Sequence, residues 1–150
     1  LFSGTLRDNV AMGQNDCSEE QVINCLKAAG ADFVGDGTGG ELDFFIQDQG
    51  SNLSGGQKQA VMMARALAFN PDVYLFDEPT SAMDGLTEAQ VINHLTSHLA
   101  GKTLLIVTHK MPVVDMCDRV LVMDKGKIVG DGSKESYFDI LKKRSEQRQN

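Results

Sequence analysis

The sequence predicts an α/β domain with a largely parallel sheet. In its second half, apolar runs at 73–76 and 103–107 have the length of strands, and a helical pattern that opens at Thr87 separates them. Polar residues suited to chemistry follow both runs directly, as is typical of the carboxyl edge of an open sheet. With 150 residues, of which 41% are hydrophobic and 23% charged, the chain suits one globular domain with a substantial core.

Two helices are predicted before residue 70. A capping box at Ser18-Glu19-Glu20-Gln21 opens a helix that apolar residues at helical spacing extend to Gly30. Ser54 is a suitable N-cap for a helix from about Gly56 to Phe69, which Asn70-Pro71 ends. The remaining stretches predict an irregular start with a short helical turn at 1–13 and a glycine-rich loop at 35–40.

Beyond residue 70 the elements are shorter. The sequence Thr87-Glu88-Ala89-Gln90 is a capping box that predicts a helix ending near Gly101. Asp124-Lys125-Gly126-Lys127 is a hairpin signal between two strands. The predicted elements are strands at 73–76, 103–107, 120–123 and 128–129, a short helix around 113–117, a helix at 135–141 and a frayed tail at 142–150.

Charge and composition exclude several classes of protein. The net charge of −7 argues against a surface that binds nucleic acid or anionic lipid non-specifically. The three cysteines lack metal-ligand spacing, which indicates reduced thiols in a cytosolic compartment. No apolar run approaches the ~20 residues of a membrane helix. Because the chain begins with Leu1-Phe2-Ser3-Gly4 and has no initiator Met, we expect it to be a piece of a longer protein.

A glycine-rich helix start is the first candidate site. Leu53-Ser54-Gly55-Gly56-Gln57 places two glycines and a hydroxyl where backbone N–H groups and the helix dipole favour an anion such as phosphate. A plain N-cap after a turn explains the same residues, so both interpretations stay open here. The phosphate-cradling sequence G-x-x-x-x-G-K-[ST] does not occur in the chain.

A pair of carboxylates is the second candidate. Asp77 and Glu78 end the apolar run at 73–76, at the sheet edge where ligands bind in open α/β folds. Asp77 is suited to hold Mg²⁺ through water, and Glu78 is suited to accept a proton from an attacking water. The alternative is an acidic turn before Pro79 that needs no ligand.

Histidines supply the third candidate. His109 follows the run at 103–107 at the same predicted edge, where it can hydrogen-bond a terminal phosphate and its attacking water. A histidine without such a role is the alternative. His94 and His98 have the i, i+4 spacing of a metal site, but the helix offers no third ligand nearby, so a solvated helix face is preferred.

Together these motifs resemble the second half of the nucleotide-binding domain of ABC transporters. Leu53–Gln57 is similar to the signature motif, Val73–Glu78 to Walker B, Ser81-Ala82-Met83-Asp84 to the D-loop, and His109 to the switch histidine. Four motifs in this order make the resemblance specific, and it covers nearly the whole chain. Residues 1–10 resemble the segment after the Q-loop of exporters, so Walker A and the Q-loop glutamine would lie before Leu1.

The resemblance implies a P-loop NTPase-like three-layer sandwich with a mostly parallel sheet and a helical signature subdomain. About 1–70 would form the helical part, and about 71–150 the Walker B and switch part of the core. It further implies an ATP hydrolase that uses ATP and Mg²⁺, although the isolated chain, without Walker A, is expected to be inactive. The implied site has Glu78 and His109 as catalytic residues, Asp77 at the metal, and Ser54, Gly55, Gly56, Gln57 and Asp84 at ATP.

The implied partners are a second nucleotide-binding domain, in a head-to-tail dimer, and the transmembrane domain of an exporter, at the cytoplasmic face of the inner (plasma) membrane. Nucleic acid is not among them. The stretches 108–110 and 118–129 look most like bacterial type I secretion ATPases, which export proteins and peptides. Two positions depart from the family pattern: Met83 replaces the usual D-loop leucine, and Asp48-Gln49-Gly50 replaces the acidic-Arg-Gly motif expected to contact the membrane domain.

Three other classes of protein are alternatives to this assignment. A DNA-repair or chromosome-structuring ATPase would carry coiled coils and basic surfaces, and this acidic chain shows neither. A soluble ABC ATPase without a membrane partner would differ in the sequence that precedes Leu1. The third is a structural or interaction module without activity of its own.

Overall fold

The structure is a computed structural model that describes residues 1–31 and 40–136. It divides into two compact units, Leu1–Val107 and Thr108–Asn150. Three predicted segments lie wholly or mostly outside the described residues. They are the loop at 35–40 except for its last residue, the greater part of the helix at 135–141, and the tail at 142–150. The expected functional division near residue 70 stays a prediction.

The first unit opens with strand β1 (Gly4–Thr5) and helix α1 (Leu6–Ala11), where the sequence predicted an irregular start with a helical turn. Thr5 and Asp8 form a reciprocal cap. The Thr5 hydroxyl accepts from the Asp8 N–H, and the Asp8 carboxylate accepts from the Thr5 N–H, both at 3.0 Å. Leu6 and Val10 are fully buried, so this short helix is part of the core.

Two longer helices follow, as predicted. Helix α2 (Glu19–Ala28) begins after its N-cap Ser18, and helix α3 (Gly55–Ala68) begins after its N-cap Ser54. Helix α3 packs against both α1 and α2 and buries Val61 and Leu67 completely or nearly so. The connection between α2 and α3 includes 3₁₀ turns at Gly40–Asp43 and Asp48–Gly50 and a short strand β2 (Phe45–Ile46) that pairs antiparallel with β1.

The unit closes with a β-α-β segment. Strands β3 (Val73–Asp77) and β4 (Thr103–Val107) pair in parallel, in register from Val73 opposite Thr103 to Asp77 opposite Val107. Helix α4 (Gly85–His98) connects them. The capping box predicted at 87–90 is wrong, because Asp84 is the N-cap and the helix begins two residues before Thr87. The Asp84 carboxylate reaches the N–H groups of Leu86 and Thr87, so it satisfies the first turn from that earlier position.

The second unit holds helix α5 (Met111–Val114) and a hairpin of β5 (Arg119–Asp124) and β6 (Lys127–Ser133). The predicted hairpin turn is confirmed: Lys125 and Gly126 both have positive φ, 47° and 75°, as a two-residue turn between antiparallel strands requires. Helix α5 begins two residues before the predicted 113–117. Its second residue is a proline, whose fixed φ suits the first turn of a helix.

The strands of the described residues form three separate pairs, β1–β2, β3–β4 and β5–β6, and only β3–β4 is parallel. The expected mostly parallel sheet and three-layer sandwich are therefore not confirmed in these ranges. A two-residue turn joins only antiparallel strands, which accounts for β5–β6. The helical crossover α4 accounts for the parallel pair.

Two further expectations concern the chain as a whole. Cys17, Cys25 and Cys117 are free cysteines in the structure, and the predicted cytosolic compartment stays a prediction. Among the helices in the described ranges, none has both the length and the apolar character needed to cross a membrane.

Candidate functional site

The start of α3 is a reciprocally capped helix. The Ser54 hydroxyl accepts from the Gln57 N–H at 3.2 Å, and the Gln57 side-chain oxygen accepts from the Ser54 N–H at 2.9 Å. The N-cap interpretation of these residues is therefore confirmed. Ser54 and Gly55 are exposed, so the capped end of the helix remains open to solvent.

The two glycines at this helix start lie against the loop that follows β3. A Cβ added at Gly56 would lie 2.9 Å from the carbonyl oxygen of Ala82, a distance that real side chains do not show. A Cβ at Gly55 would lie 3.6 Å from the Ala82 Cβ, which is an ordinary contact. Glycine at position 56 thus permits the close approach of the helix to the backbone of this loop.

The loop itself begins at Glu78 in an uncommon conformation. Glu78 follows exposed Asp77, the last residue of β3, and has a φ of 46° in the left-handed region. Its N–H donates to the carbonyl of Val107 at 2.8 Å, and its own carbonyl accepts from the Ser81 N–H at 3.1 Å. Non-glycine residues in this region cost of order 1–3 kcal/mol and are frequent at functional sites. The turn therefore holds the Glu78 backbone against a local preference for other conformations.

Gln59 is a site residue that the sequence reasoning missed. Its side-chain Nε2 donates to the Glu78 carbonyl at 2.7 Å, and its Oε1 accepts from the Ala82 N–H at 3.1 Å. The single available signal was its position one helical turn after Gly55, on the same face of α3. Without knowledge of the loop opposite that face, the spacing does not single it out.

The far end of the loop is fixed by Asp84. Its carboxylate accepts from the N–H groups of Leu86 and Thr87 at 2.9 and 3.1 Å and from the Thr87 hydroxyl at 2.8 Å. These hydrogen bonds, those of Thr87 first, lower the pKa of Asp84 below its ordinary value. Thr80 and Glu88, both buried, hydrogen-bond each other and attach the middle of the loop to α4.

His109 lies in the second compact unit, two residues after the end of β4, and is exposed. Beside it, the Lys110 N–H donates to the Thr108 hydroxyl at 3.1 Å. Its predicted role beside the carboxylates stays a prediction. The residues that the structure does bring together are Ser54, Gly55, Gly56 and Gln57 at the start of α3 and the loop from Glu78 to Asp84.

The donor set is compatible with Mg²⁺ and a nucleotide phosphate. In the described part of the chain, no three His, Cys, Asp or Glu side chains form a metal site. Mg²⁺ bound with a nucleotide needs only one or two carboxylates, because phosphate oxygens and waters complete its coordination. The exposed carboxylate of Asp77 meets that requirement. His94 and His98 are exposed on α4 and line an open cleft with Asn24 and Lys27.

Comparison with known proteins identifies the family. The family model described as ABC transporter matches residues 3–81, which include the helix start at 53–57 and the carboxylates Asp77 and Glu78. The chain belongs to the ABC transporter family. The resemblance that the motifs carried is thereby confirmed.

Individual relatives of this ABC-family chain come from plants and bacteria. ABC transporter B family member 15 of Arabidopsis thaliana is 40% identical over 141 residues, 92% of this chain and 11% of the relative. Leukotoxin translocation ATP-binding protein LktB of Pasteurella haemolytica-like sp. is 38% identical over 133 residues, 88% of this chain and 19% of the relative. Exotoxin translocation ATP-binding protein PaxB of Pasteurella aerogenes is 39% identical over 140 residues, 93% of this chain and 20% of the relative. The chain thus spans only between a tenth and a fifth of the length of these relatives.

The fold agrees with a solved exporter. The structure of a bacterial Atm1-family ABC exporter with ATP bound superposes with a TM-score of 0.81 at 31% identity, over 96% of this chain and 26% of that one. This ABC-family chain therefore has the mixed helix-and-sheet fold of an ABC ATPase domain. The resemblance to toxin-translocating ATPases noted in the sequence is matched by LktB and PaxB.

Proposed function

We propose that the chain is the signature and Walker B part of the ATP-binding domain of an ABC exporter, which couples ATP hydrolysis to transport. One observation carries the proposal: the capped start of α3 packs on the loop from Glu78 to Asp84, so that Gly56 has no room for a Cβ. The signature-like helix and the loop that begins at Glu78 are thus in direct contact. The relatives that are exporters or translocation ATPases support the same function.

The residues divide the chemistry by their positions. The cap occupies the N–H groups of Ser54 and Gln57, and the two glycine N–H groups between them are the ones that a γ-phosphate would meet. Asp77 holds Mg²⁺, which when bound neutralises charge on the phosphates. Glu78 accepts the proton of the attacking water, His109 holds the γ-phosphate, and Asp84 connects the two nucleotide sites of a dimer. Catalysis is then mainly positioning and charge stabilisation.

The proposed partners follow from this division. One proposed partner is a second nucleotide-binding domain in a head-to-tail dimer, whose phosphate-cradling loop would hold the phosphates opposite Ser54–Gly56. The other partner is a transmembrane domain, which places the chain at the cytoplasmic face of a membrane. The net charge of −7 gives no support for a nucleic-acid partner.

The cargo that we propose is a protein or peptide, as in type I secretion. The names of LktB and PaxB refer to translocation of a leukotoxin and an exotoxin. Relatives of equal similarity include plant B-family members and Multidrug resistance protein 1 of Entamoeba histolytica, at 39% identity. Secretion of a co-expressed polypeptide by the intact parent protein, measured with and without Glu78→Gln, separates a protein cargo from a small-molecule cargo.

The test of the proposed function is Glu78→Gln in the intact parent. Glutamine has nearly the same shape but cannot accept the proton, so we expect ATP turnover to fall by about 10²–10⁴-fold. ATP binding should be retained, and ATP should be trapped in a stable dimer. Glu20→Gln is the matched control, because Glu20 is an exposed carboxylate on α2. Equal turnover in the Glu78 and Glu20 variants would assign the base to another residue.

The chain by itself is proposed to be inactive as an ATPase. A phosphate-cradling loop with its lysine supplies most of the contacts to a nucleotide's phosphates, and the sequence has none. Purified chain incubated with ATP and Mg²⁺ should release phosphate at the rate of buffer. Turnover that Glu78→Gln abolishes would overturn this expectation.

A further inference from the structure

Gln59 connects the signature helix to the loop after β3 through three hydrogen bonds. Its Nε2 donates to the Glu78 carbonyl at 2.7 Å and to the Ser81 hydroxyl at 3.1 Å, and its Oε1 accepts from the Ala82 N–H at 3.1 Å. An amide side chain carries two N–H groups and one carbonyl. The loop therefore engages the polar atoms of Gln59 on both sides of its amide.

The bond from Gln59 to the Glu78 carbonyl holds a backbone that intrinsically prefers another conformation. Glu78 has a φ of 46°, and such a residue keeps its conformation only where surrounding contacts over-determine it. Three contacts do so: the bond from its N–H to Val107, the bond from the Ser81 N–H to its carbonyl, and the bond from Gln59 to the same carbonyl. Gln59 is the one of these partners that belongs to the signature helix.

We propose that Gln59 is a positioning residue: it holds the Glu78 backbone in the left-handed conformation and thereby aims the Glu78 carboxylate. The direction of a side chain follows from the φ and ψ of its own residue, so a relaxed Glu78 backbone would move the carboxylate away from the attacking water. This inference rests on the proposed role of Glu78 as the base. It adds that the same helix which presents Ser54–Gly56 also sets the position of Glu78.

The two halves of the Gln59 contact can be separated by substitution. Gln59→Met keeps the length and the partly buried volume of the side chain but removes all three hydrogen bonds. Gln59→Glu keeps an acceptor for the Ala82 N–H but loses the N–H donor to the Glu78 carbonyl. Met62→Gln is the matched control, because Met62 lies on α3 with half of its surface exposed.

Hydrogen exchange of the Ala82 amide tests the contact without any nucleotide. A single hydrogen bond contributes about 0.5–1.5 kcal/mol, so Gln59→Met should accelerate exchange at Ala82 by about 2- to 13-fold. Gln59→Glu and Met62→Gln should leave that rate within about twofold of the wild-type rate. A twofold change in rate corresponds to about half of the free energy that a typical hydrogen bond contributes. Unchanged exchange in Gln59→Met would show that the contact does not exist and would overturn the proposal.

ATP turnover by the intact parent tests the positioning role. Both Gln59→Met and Gln59→Glu should lower kcat, by up to about 10²-fold, with little change in KM, because the base is misplaced while nucleotide binding persists. A merely structural role would instead affect only Gln59→Met, whose Ala82 contact is lost. Wild-type kcat in Gln59→Glu would overturn the proposal even when Glu78→Gln is inactive. If Glu78→Gln itself retains turnover, the base is another residue, and the positioning role fails with its assignment to Glu78.

Discussion

The packing of Gly56 against the D-loop-like segment predicts that Gly56→Ala destabilises the chain, although alanine is the better helix former. An alanine Cβ would lie 2.9 Å from the Ala82 carbonyl oxygen. That oxygen belongs to the backbone of a loop which Gln59, Asp84 and the buried residue Thr80 all hold in place. The loop therefore cannot move away as a flexible side chain would.

The expected magnitude follows from two opposing terms. Replacing glycine by alanine inside a helix stabilises by about 0.5–1 kcal/mol through lower backbone entropy in the unfolded chain. Inserting a methyl group into a well-packed contact costs about 1–3 kcal/mol. The two ranges together leave a net fall in the free energy of unfolding of about 0–2.5 kcal/mol, with a central value of about 1 kcal/mol.

Urea unfolding of the chain, monitored by far-UV circular dichroism, measures this difference, provided that both variants show the same dependence of the unfolding free energy on urea concentration. The control is Gly55→Ala, one residue earlier, where the new Cβ would meet the Ala82 Cβ at an ordinary 3.6 Å. We expect that variant to match the wild type or to exceed it by up to about 1 kcal/mol. If Gly56→Ala proves as stable as Gly55→Ala, the close approach of the helix to the loop is not what the structure indicates.

Three further predictions concern other parts of the first unit. Gly30→Ala should destabilise the chain more than Gly101→Ala: both glycines have positive φ, but only at Gly30 would a Cβ meet a neighbour closely, Val91 at 2.5 Å. Urea unfolding of both variants measures that difference. Burial raises the pKa of the Cys25 thiol to about 11, so mass spectrometry should show it alkylated more slowly than Cys17 at pH 8. The raised pKa keeps the thiol protonated in the folded chain. The contribution of Cys25 to the free energy of unfolding is therefore fully present below the pKa of the unfolded thiol, about 8.5, and decreases as the pH rises toward 11.

The longer helices could be predicted because their start signals are local. Ser18 and Ser54 are each followed three residues later by a glutamine, and both pairs form reciprocal caps. Thr5 and Asp8 form the same kind of cap, with an aspartate in place of the glutamine three residues after the N-cap. Only a short helical turn was predicted there. The six-residue α1 has too few turns to show a hydrophobic period, so the cap was its main signal.

The start of α4 shows where local signals become ambiguous. Asp84 and Thr87 are both good N-cap residues, and Thr87 is followed by a capping-box pattern. The structure selects Asp84, whose carboxylate accepts from the Leu86 and Thr87 N–H groups. A hydrogen bond between the buried residues Thr80 and Glu88 also attaches the preceding loop to α4. The sequence pattern does not predict this contact.

The site residues could be predicted one by one, but their arrangement could not. Motif spacing singled out the start of α3 and the carboxylates at 77–78, because each has a distinctive sequence. The contact of Gly56 with Ala82 and the bond of Gln59 to Glu78 join residues 26 and 19 positions apart. Such contacts depend on how α3 packs on the loop after β3, and neither element's own sequence specifies that packing.

The structure also changes what the two glycines at the helix start can be taken to indicate. From the sequence, a capped helix and an anion site were alternatives, yet the cap uses the N–H groups of Ser54 and Gln57 and leaves those of Gly55 and Gly56 between them. Glycine at 56 is already required by the contact with Ala82, so it carries no information about a ligand. Packing makes no such demand at Gly55, where an added Cβ would fit. A Gly55→Ala variant of the parent that folds normally but loses ATP turnover would therefore locate the ligand requirement at that residue, whereas normal turnover would leave the anion interpretation without support at this position.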